Sequence, residues 1–389
     1  MKTLHNLGRR KLRTALTIAG VSVGIVALVV FGAMATRIDT FVNANSDYLR
    51  GAVAVAPEGS TQRFMLPLSP SAIATVREIA GSGTVVPSVQ LTVAPQEGMT
   101  STLLPDTIVG IEAGAPAPAG AYPLHLAQGR ELAASDASAN VAVLGSDVAL
   151  HFDKHVGDTM EMRGEQFEVV GIYQATLAVP DSNVLVPMAA AQRLFVASLP
   201  EQYRNSVEPS SVVTNLIVYL PAGADPDEYA TRIKAAAPDT RTITSGSVAK
   251  EVGSITKILQ AILVGVGLLS LIVGGLSVIN TMAMAVAERT REIGIKRAIG
   301  ASRARVIREI VGESASMGLI GGLVGLTAGT LIVIAGNAVG QAGGIALFDL
   351  TPPTAIQALV FGTALGALAG LIPALNAARM DPVAALRYE

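Results

Sequence analysis

Four long stretches of the chain carry no charged residue: 14 to 36, 258 to 287, 314 to 348 and 350 to 378. A bilayer-spanning helix needs about 20 apolar residues, and a charge at mid-bilayer costs roughly 2.5 to 3.5 kcal/mol on insertion scales. The gaps therefore predict membrane helices at 14–36, 257–287, 314–340 and 354–377. Two of them have apolar periodicity running on beyond the membrane. After the first span, Ile38, Phe41, Tyr48 and Leu49 keep a helical spacing up to Gly51. Ahead of the second, Val248, Val252, Ile255, Leu259 and Ile262 alternate three and four apart from Ser247, a predicted cap. A helix from 247 to 290 would be about 66 Å long at about 1.5 Å per residue, against a hydrocarbon core of about 30 Å. These extensions predict two stalk helices bracketing residues 37–256.

Between the stalks the pattern changes to short runs rich in Val and Ile. Strands are expected at 52–56, 84–94, 107–112, 141–144, 167–173, 183–187, 212–220 and 241–244. In "ADPDEYATRIKAAAP", Asp225 is a predicted cap, Pro226 suits the first helical position, and Pro238 ends the run. The stretches 114–120 and 205–211 read as joints of an inserted lobe at about 121–210. The expected fold class is an α-helical membrane protein with four transmembrane helices and a two-lobed α/β extracytoplasmic domain. Residues 1–13, with Leu4, Leu7 and Leu12 among basic residues, read as an amphipathic helix on anionic lipid, and 378–389 as a tail.

Composition agrees: half of the 389 residues are apolar, 15% are charged and mean hydropathy is +0.50. The overall charge of −2 conceals a strong polarity. Lys2, Arg9, Arg10, Lys11 and Arg13 precede the first span, and seven basic residues lie between the second and third. Lys and Arg beside a span stay on the cytoplasmic side, which places both termini and 288–313 in the cytoplasm and 37–256 outside the cell membrane. The cytoplasmic parts hold 14 basic and 6 acidic residues, and 37–256 holds 13 basic and 23 acidic. The first apolar run exceeds the about 7 to 15 residues of a secretory signal core, so a retained anchor is expected. With no cysteine there are no disulfides and no thiolate metal sites.

Several chemistries lack their residues. Apart from Lys257 at the outer edge of the second, the spans hold no ionisable group for an ion path. No Gly-Lys pair exists anywhere, so no phosphate loop of the form GxxxxGK[ST] can form. "HFDKH", His151 to His155, has a spacing that could hold zinc on a helix, but no third ligand is evident and a solvated turn is expected. No nucleophile-elbow pattern supports a hydrolase. Neither catalytic nor metal residues are therefore expected.

Between the second and third spans lies "AERTREIGIKRAIGASRARVIREIVGES". A loop kept inside by its charges needs basic residues but not this order of acids, glycines and apolars. Ile295, Ala298 and Ile299 mark one face, and Val306, Ile307, Ile310 and Val311 another. Gly300 and Ala301 divide the segment into two expected short helices, with Ser302 capping the second. Glycines recur every four residues in the last two spans, at Gly318, Gly322, Gly325, Gly329, Gly362, Gly366 and Gly370. This spacing lets membrane helices approach closely, and intramolecular packing is the expected use.

"ERTREIGIKRAIGAS" resembles the cytoplasmic segment of the FtsX-like and MacB-like permeases of the type VII ABC transporter superfamily. "NLGRRKLRTALTIAGVSVGI", "NVAVLGSDVA", "NVLVPMAAAQRLF" and "IPALNAARMDPVAALRYE" are similar to the family's first-span entrance, outer domain and C-terminal ending. The resemblance implies a MacB-like periplasmic core domain with Porter and Sabre lobes. It also implies a dimer with a second permease, a copy or a paralogue, bound to two copies of a separate ABC ATPase subunit that holds ATP and Mg2+. The segment 288–301 becomes a coupling helix seated on that ATPase, and motion passes through the stalks to the outer domains without a membrane channel. Docking is expected of Glu288, Arg289, Arg291, Glu292, Lys296 and Arg297 by charge, of Ile293, Ile295 and Ile299 by burial, and of Gly294 and Gly300 by close approach or a turn. The chain is thus expected to be no enzyme by itself and to contact membrane lipid but no nucleic acid. The expected function is export or extraction of a drug, peptide or lipoprotein-like substrate, with an adaptor or other extracytoplasmic partner left open. A transducer that activates a cell-wall hydrolase without transport is the alternative. A stand-alone membrane-anchored binding protein would leave the charged segment unexplained.

Overall fold

The computed structural model describes residues 11–60, 65–93, 106–204, 207–341 and 347–381. Leu4 and Leu7, and most of the tail 378–389, lie outside the described residues. The chain forms two compact units. One comprises Met1–Arg37, Thr256–Ala338 and Leu347–Glu389, and the other Ile38–Ile255 with Val339–Ala346.

In chain order, helix α1 (Lys11–Tyr48) leads into β1 (Ala52–Pro57), α2 (Pro70–Ala80), β2 (Thr84–Thr92), β3 (Thr107–Ile111), β4 (Leu126–Gly129) and β5 (Val141–Leu144). Next come α3 (Ser146–His151), β6 (Thr159–Met162), β7 (Glu165–Tyr173), β8 (Asn183–Pro187), α4 (Met188–Ser198), α5 (Glu201–Arg204), β9 (Asn215–Tyr219), α6 (Pro226–Ala236) and β10 (Thr240–Ile243). The last four helices are α7 (Ser245–Glu288), α8 (Thr290–Ala298), α9 (Arg303–Gln341) and α10 (Pro352–Arg379).

The strands form one sheet in the order β10-β1-β9-β2-β3-β8-β5-β7-β4, with β6 beside β7. Strand β2 joins its two halves: Thr84–Ser88 pairs with β9 and Val89–Thr92 with β3, both antiparallel. Each half has a core of its own. Val53, Val55, Leu216 and Val218 pack against Ala72 and Val76 of α2 and Ile233 of α6. Ile108, Leu144, Phe167, Val184 and Val186 pack against Leu194 and Phe195 of α4. Strand β3 precedes the expected lobe boundary at about 121 but pairs in parallel with β8, so it belongs with the second core. In α6, Asp225 accepts from the Asp227 amide at 2.9 Å and Pro226 opens the helix.

Among the described residues, four helices contain segments long and apolar enough to cross a membrane: Thr17–Tyr48, Gln260–Glu288, Arg303–Gly340 and Pro352–Arg379. In the first unit, Val21, Ile25 and Val29 make one buried stripe of α1 that meets Val278 and Met282 of α7, Met317 of α9 and Leu365 of α10. The glycines of α9 serve two neighbours. A Cβ at Gly325 would sit 2.6 Å from Ile25 Cβ, and one at Gly329 would sit 2.9 Å from Val29 Cβ. Gly318 and Gly322 turn instead to α10, where Gly318 lies against the Gly362 main-chain oxygen and Gly366 against that of Ser314. Side chains there would hold the helices apart, so glycine permits backbone-to-backbone packing. Thr17 and Thr281 share a hydrogen bond of 2.6 Å between α1 and α7. Asn337 shapes the entry to α10, accepting from the amides of Leu347 and Phe348 at 3.0 and 2.9 Å.

The expected second short helix of the charged segment is corrected. From Arg303 the chain runs without a break into the third membrane helix, as the first part of the 39-residue α9. The apolar positions Val306 and Ile310 continue the buried stripe of the span, so nothing in the pattern ends the helix there.

Candidate functional site

The charged segment is a braced turn between α7 and α9. Helix α7 ends at Glu288, and Arg289, with φ −106 and ψ 16, turns the chain into α8. Helix α8 closes on Gly300, whose φ of +100 favours glycine. The Ala301 amide donates to Lys296 O at 2.9 Å and the Gly300 amide to Arg297 O at 3.1 Å, the hydrogen-bond pair of a Schellman cap. Ser302 then caps α9, its Oγ accepting from the Arg305 amide at 3.3 Å. These caps satisfy helix-end groups that would otherwise be orphaned and fix the angle between α8 and α9.

A small apolar core lies beneath the turn. Val286 of α7, Ile293 of α8, Val306 and Ile310 of α9, and Ala374 and Ala377 of α10 pack together, with Met380 against them. Ion pairs bridge its edge. Arg289 Nη1 lies 3.2 Å from Glu313 Oε2, and Lys296 Nζ lies 2.9 Å from Glu309 and 3.1 Å from Glu292. The hydrogen bond to Glu309, and then that to Glu292, holds the Lys296 ammonium above its usual range against the opposing effect of burial. Arg297 turns away from these carboxylates. Its Nη1 donates to the main-chain oxygens of Ala378, at 2.9 Å, and of Met380.

The eleven residues expected to dock are thus divided. Ile293 and Gly294 are buried, and Arg297 is bound to the end of α10, so these three face the chain's own helices. The physical reason is helical geometry: Ile293 and Ile299 share an apolar character but lie on different faces of α8. Ile293 is 8% exposed and Ile299 81%. Arg289 and Lys296 are held in ion pairs across to α9. Glu288, Arg291, Glu292, Ile295, Ile299 and Gly300 are exposed. So are Arg303, Arg305 and Arg308 of α9; their guanidinium groups, and that of Arg291, make no ion pair or hydrogen bond among the described residues. The bracing residues Glu309, Glu313, Ala374 and Ala377 lie outside the segment 288–301 whose pattern marks the turn. Their signals are two glutamates four apart at the start of α9 and the alanine pattern in "PALNAARM".

In the α/β unit, His151 ends α3 and its Nδ1 lies 2.7 Å from Asp106 Oδ2, while His155 is exposed beyond the helix. No group of three or more His, Cys, Asp or Glu suited to a metal occurs among the described residues.

Four membrane-length helices, a mixed α/β unit between the first and second, and a braced charged turn between the second and third define a multi-pass membrane protein with an extracytoplasmic domain. The model of the MacB-like periplasmic core domain matches residues 14–236, and that of the FtsX-like permease C-terminal matches residues 264–382. The chain belongs to the MacB and FtsX-like family of ABC transporter permeases. Among its relatives, the macrolide export ATP-binding/permease protein MacB of Rhodospirillum rubrum is 31% identical over 97% of this chain and 58% of that protein. The pyoverdine export ATP-binding/permease protein PvdT of Pseudomonas savastanoi pv. phaseolicola is 28% identical over 97% of this chain and 58% of that protein. An uncharacterized ABC transporter permease of Methanocaldococcus jannaschii is 29% identical over 67% of this chain and 65% of its own length. The chain therefore spans little more than half the length of the two export proteins.

Proposed function

We propose that the chain is the permease subunit of an ATP-driven export system, and that the exposed face of α8 seats on a separate ATP-binding cassette ATPase. The observation that carries this reading is the pairing of Ile295, 45% exposed, and Ile299, 81% exposed, on a turn that also presents Arg291, Arg303, Arg305 and Arg308. Apolar anchors on a turn that also carries uncommitted guanidinium groups suit a protein partner with an apolar pocket and an acidic rim. The caps, the small core and the ion pairs beneath them keep this face in one geometry, as a docking surface requires. In this reading the partner holds ATP and Mg2+.

The orientation follows from charge: both termini and the turn lie in the cytoplasm, and residues 37–256 lie outside. In this reading two permeases and two ATPases assemble, ATP binding moves α8, and α1 and α7 pass the motion to the α/β units. Two relatives bear names of export proteins, for macrolide and for pyoverdine. Those names and the membrane-associated architecture support an amphiphilic substrate, drug, peptide or lipoprotein-like, handled by the extracytoplasmic domain.

The test is co-purification of the full chain with its co-expressed ATPase, together with the stimulation of ATP turnover. I299D and R291E alter exposed positions, where substitutions usually change stability by less than about 0.5 kcal/mol. Both should fold as the parent does and lose the ATPase. Retained binding and retained stimulation in both would overturn the docking face.

A further inference from the structure

The face of α8 opposite the exposed isoleucines has its own chemistry. Arg297 places one guanidinium nitrogen on two main-chain oxygens, those of Ala378 and Met380, where α10 runs out of amide partners. The last carbonyls of a helix lack intrahelical donors and carry the negative end of its dipole. A cation at that point both satisfies them and is attracted by the field. Ile293 and Gly294 lie buried on α8, and Ala374 and Ala377 of α10 share a core with Ile293, so the arginine sits at the rim of an apolar contact. Its Nε is buried and has no hydrogen-bond partner among the described residues. Burying a guanidinium in this way is costly unless it is held by partners, and the partners here belong to α10.

We propose that Arg297 is a positioning residue that fastens α8 to the C-terminal end of α10, so that displacement of α8 is delivered to α10 as a rigid pair. The fastening itself stands on the geometry of the turn alone. Its use, to carry a load from an ATPase, rests on the docking reading above. The attachment is through main-chain oxygens, so the identity of the α10 side chains at 378 and 380 matters little to it. What it needs is a long cation at 297. Lysine can reach the same oxygens with one ammonium and has no Nε–H to strand, so R297K retains the fastening while R297A and R297Q lose it.

The chain has no cysteine, so a pair of spin labels at Ala298→Cys and Arg379→Cys, both exposed positions, reports the α8-to-α10 distance without background labelling. Measured on the full chain in lipid nanodiscs without ATPase, the parent and R297K should give one narrow distance peak. R297A and R297Q should lose that peak to a broad distribution. If R297A does not fold, R297Q carries the same comparison. A narrow parental peak in either folded variant would overturn the proposal. A second measurement separates this from docking. With the co-expressed ATPase, R297Q should still co-purify while losing stimulation of ATP turnover, and R297K should restore it. Loss of co-purification with an unchanged distance peak would make Arg297 a docking residue and sink the positioning role. Retained binding by I299D and R291E would sink the docking reading and leave the distance result standing.

Discussion

Asn45, 4% exposed near the end of α1, accepts a hydrogen bond from the backbone amide of Val179 at 3.0 Å, across 134 residues of chain. Its own side-chain amide donates to Phe41 O at 2.7 Å, which holds the oxygen in place. Val179 opens a turn organised by Asp181, 2% exposed, which accepts from the amides of Thr176 and Leu177 and from the Thr176 hydroxyl at 2.6 to 2.9 Å. Leu177 is left at φ +60, a conformation most side chains avoid. Three residues along α1, Tyr48 meets the ring of Tyr122 edge-on at 6.1 Å. The C-terminal part of α1 is thus attached by side chains to segments on either side of β4 to β7, in addition to its covalent continuation into β1.

N45A should release that attachment. An amide left without a partner costs about 1 to 3 kcal/mol, which corresponds to local opening roughly ten to a hundred times more frequent. Hydrogen exchange at Val179 should accelerate accordingly while the amides of β5 and β8 keep their protection. Unchanged exchange at Val179 would show that the turn is held by Asp181 alone.

Glycine substitutions in α9 and α10 should divide by location. Gly312 has open space around its missing Cβ, so G312A should be neutral or stabilising by up to about 1 kcal/mol, the helix-propensity gain. At Gly366 the new methyl would meet the Ser314 main-chain oxygen, and G366A should destabilise by about 1 to 3 kcal/mol through overpacking. Thermal unfolding of the full chain in detergent reads both, and equal midpoints for the two variants would contradict the close crossing.

The α/β unit should weaken in acid through identifiable groups. The Arg130 guanidinium, with the Ala133 amide, holds the Asp136 carboxyl below its usual range, and Lys234 does the same for Glu58. A carboxyl whose folded pKa is depressed contributes stability above its unfolded value, and that contribution is lost as pH falls through the folded one. For Asp136 the loss falls below its ordinary value of 3.8. Burial raises the carboxyl of Asp106 despite its bond to His151, and its contribution has the opposite sign, lost as pH rises. D136N should therefore flatten the decline of stability below about pH 4, followed by amide exchange in β5 and β7. A decline as steep as the parent's would remove Asp136 from the account.

The legibility of this fold tracks how much each residue's role depends on its own neighbourhood. Strands 141–144 and 183–187 are found at their expected bounds because Val-rich runs between turn residues need no distant information. Strands β4, "LAQG", and β6, "TMEM", give no strand signal in the sequence, being four residues long, partly exposed and without a β-branched run. Helix α2 buries Ala72, Val76 and Ala80, too small a stripe to stand out. The long helices were legible as gaps in charge, since the bilayer enforces the pattern along every turn. In the charged turn, residue types gave the chemistry but not the direction. Arg291 and Arg297 are alike in sequence, yet one is exposed and the other caps a helix 81 residues away, a fact that exists only once α10 is in place.

The crossing of α9 and α10 removes a degree of freedom. With Gly318 against the Gly362 oxygen and Gly366 against that of Ser314, neither helix can turn about its own axis without driving main chain into main chain. What remains open to the pair is to tilt or shift together. A push received at one end of such a pair emerges at the other as translation with little twist, and its timing is set by a stiff body instead of a chain of rotamers.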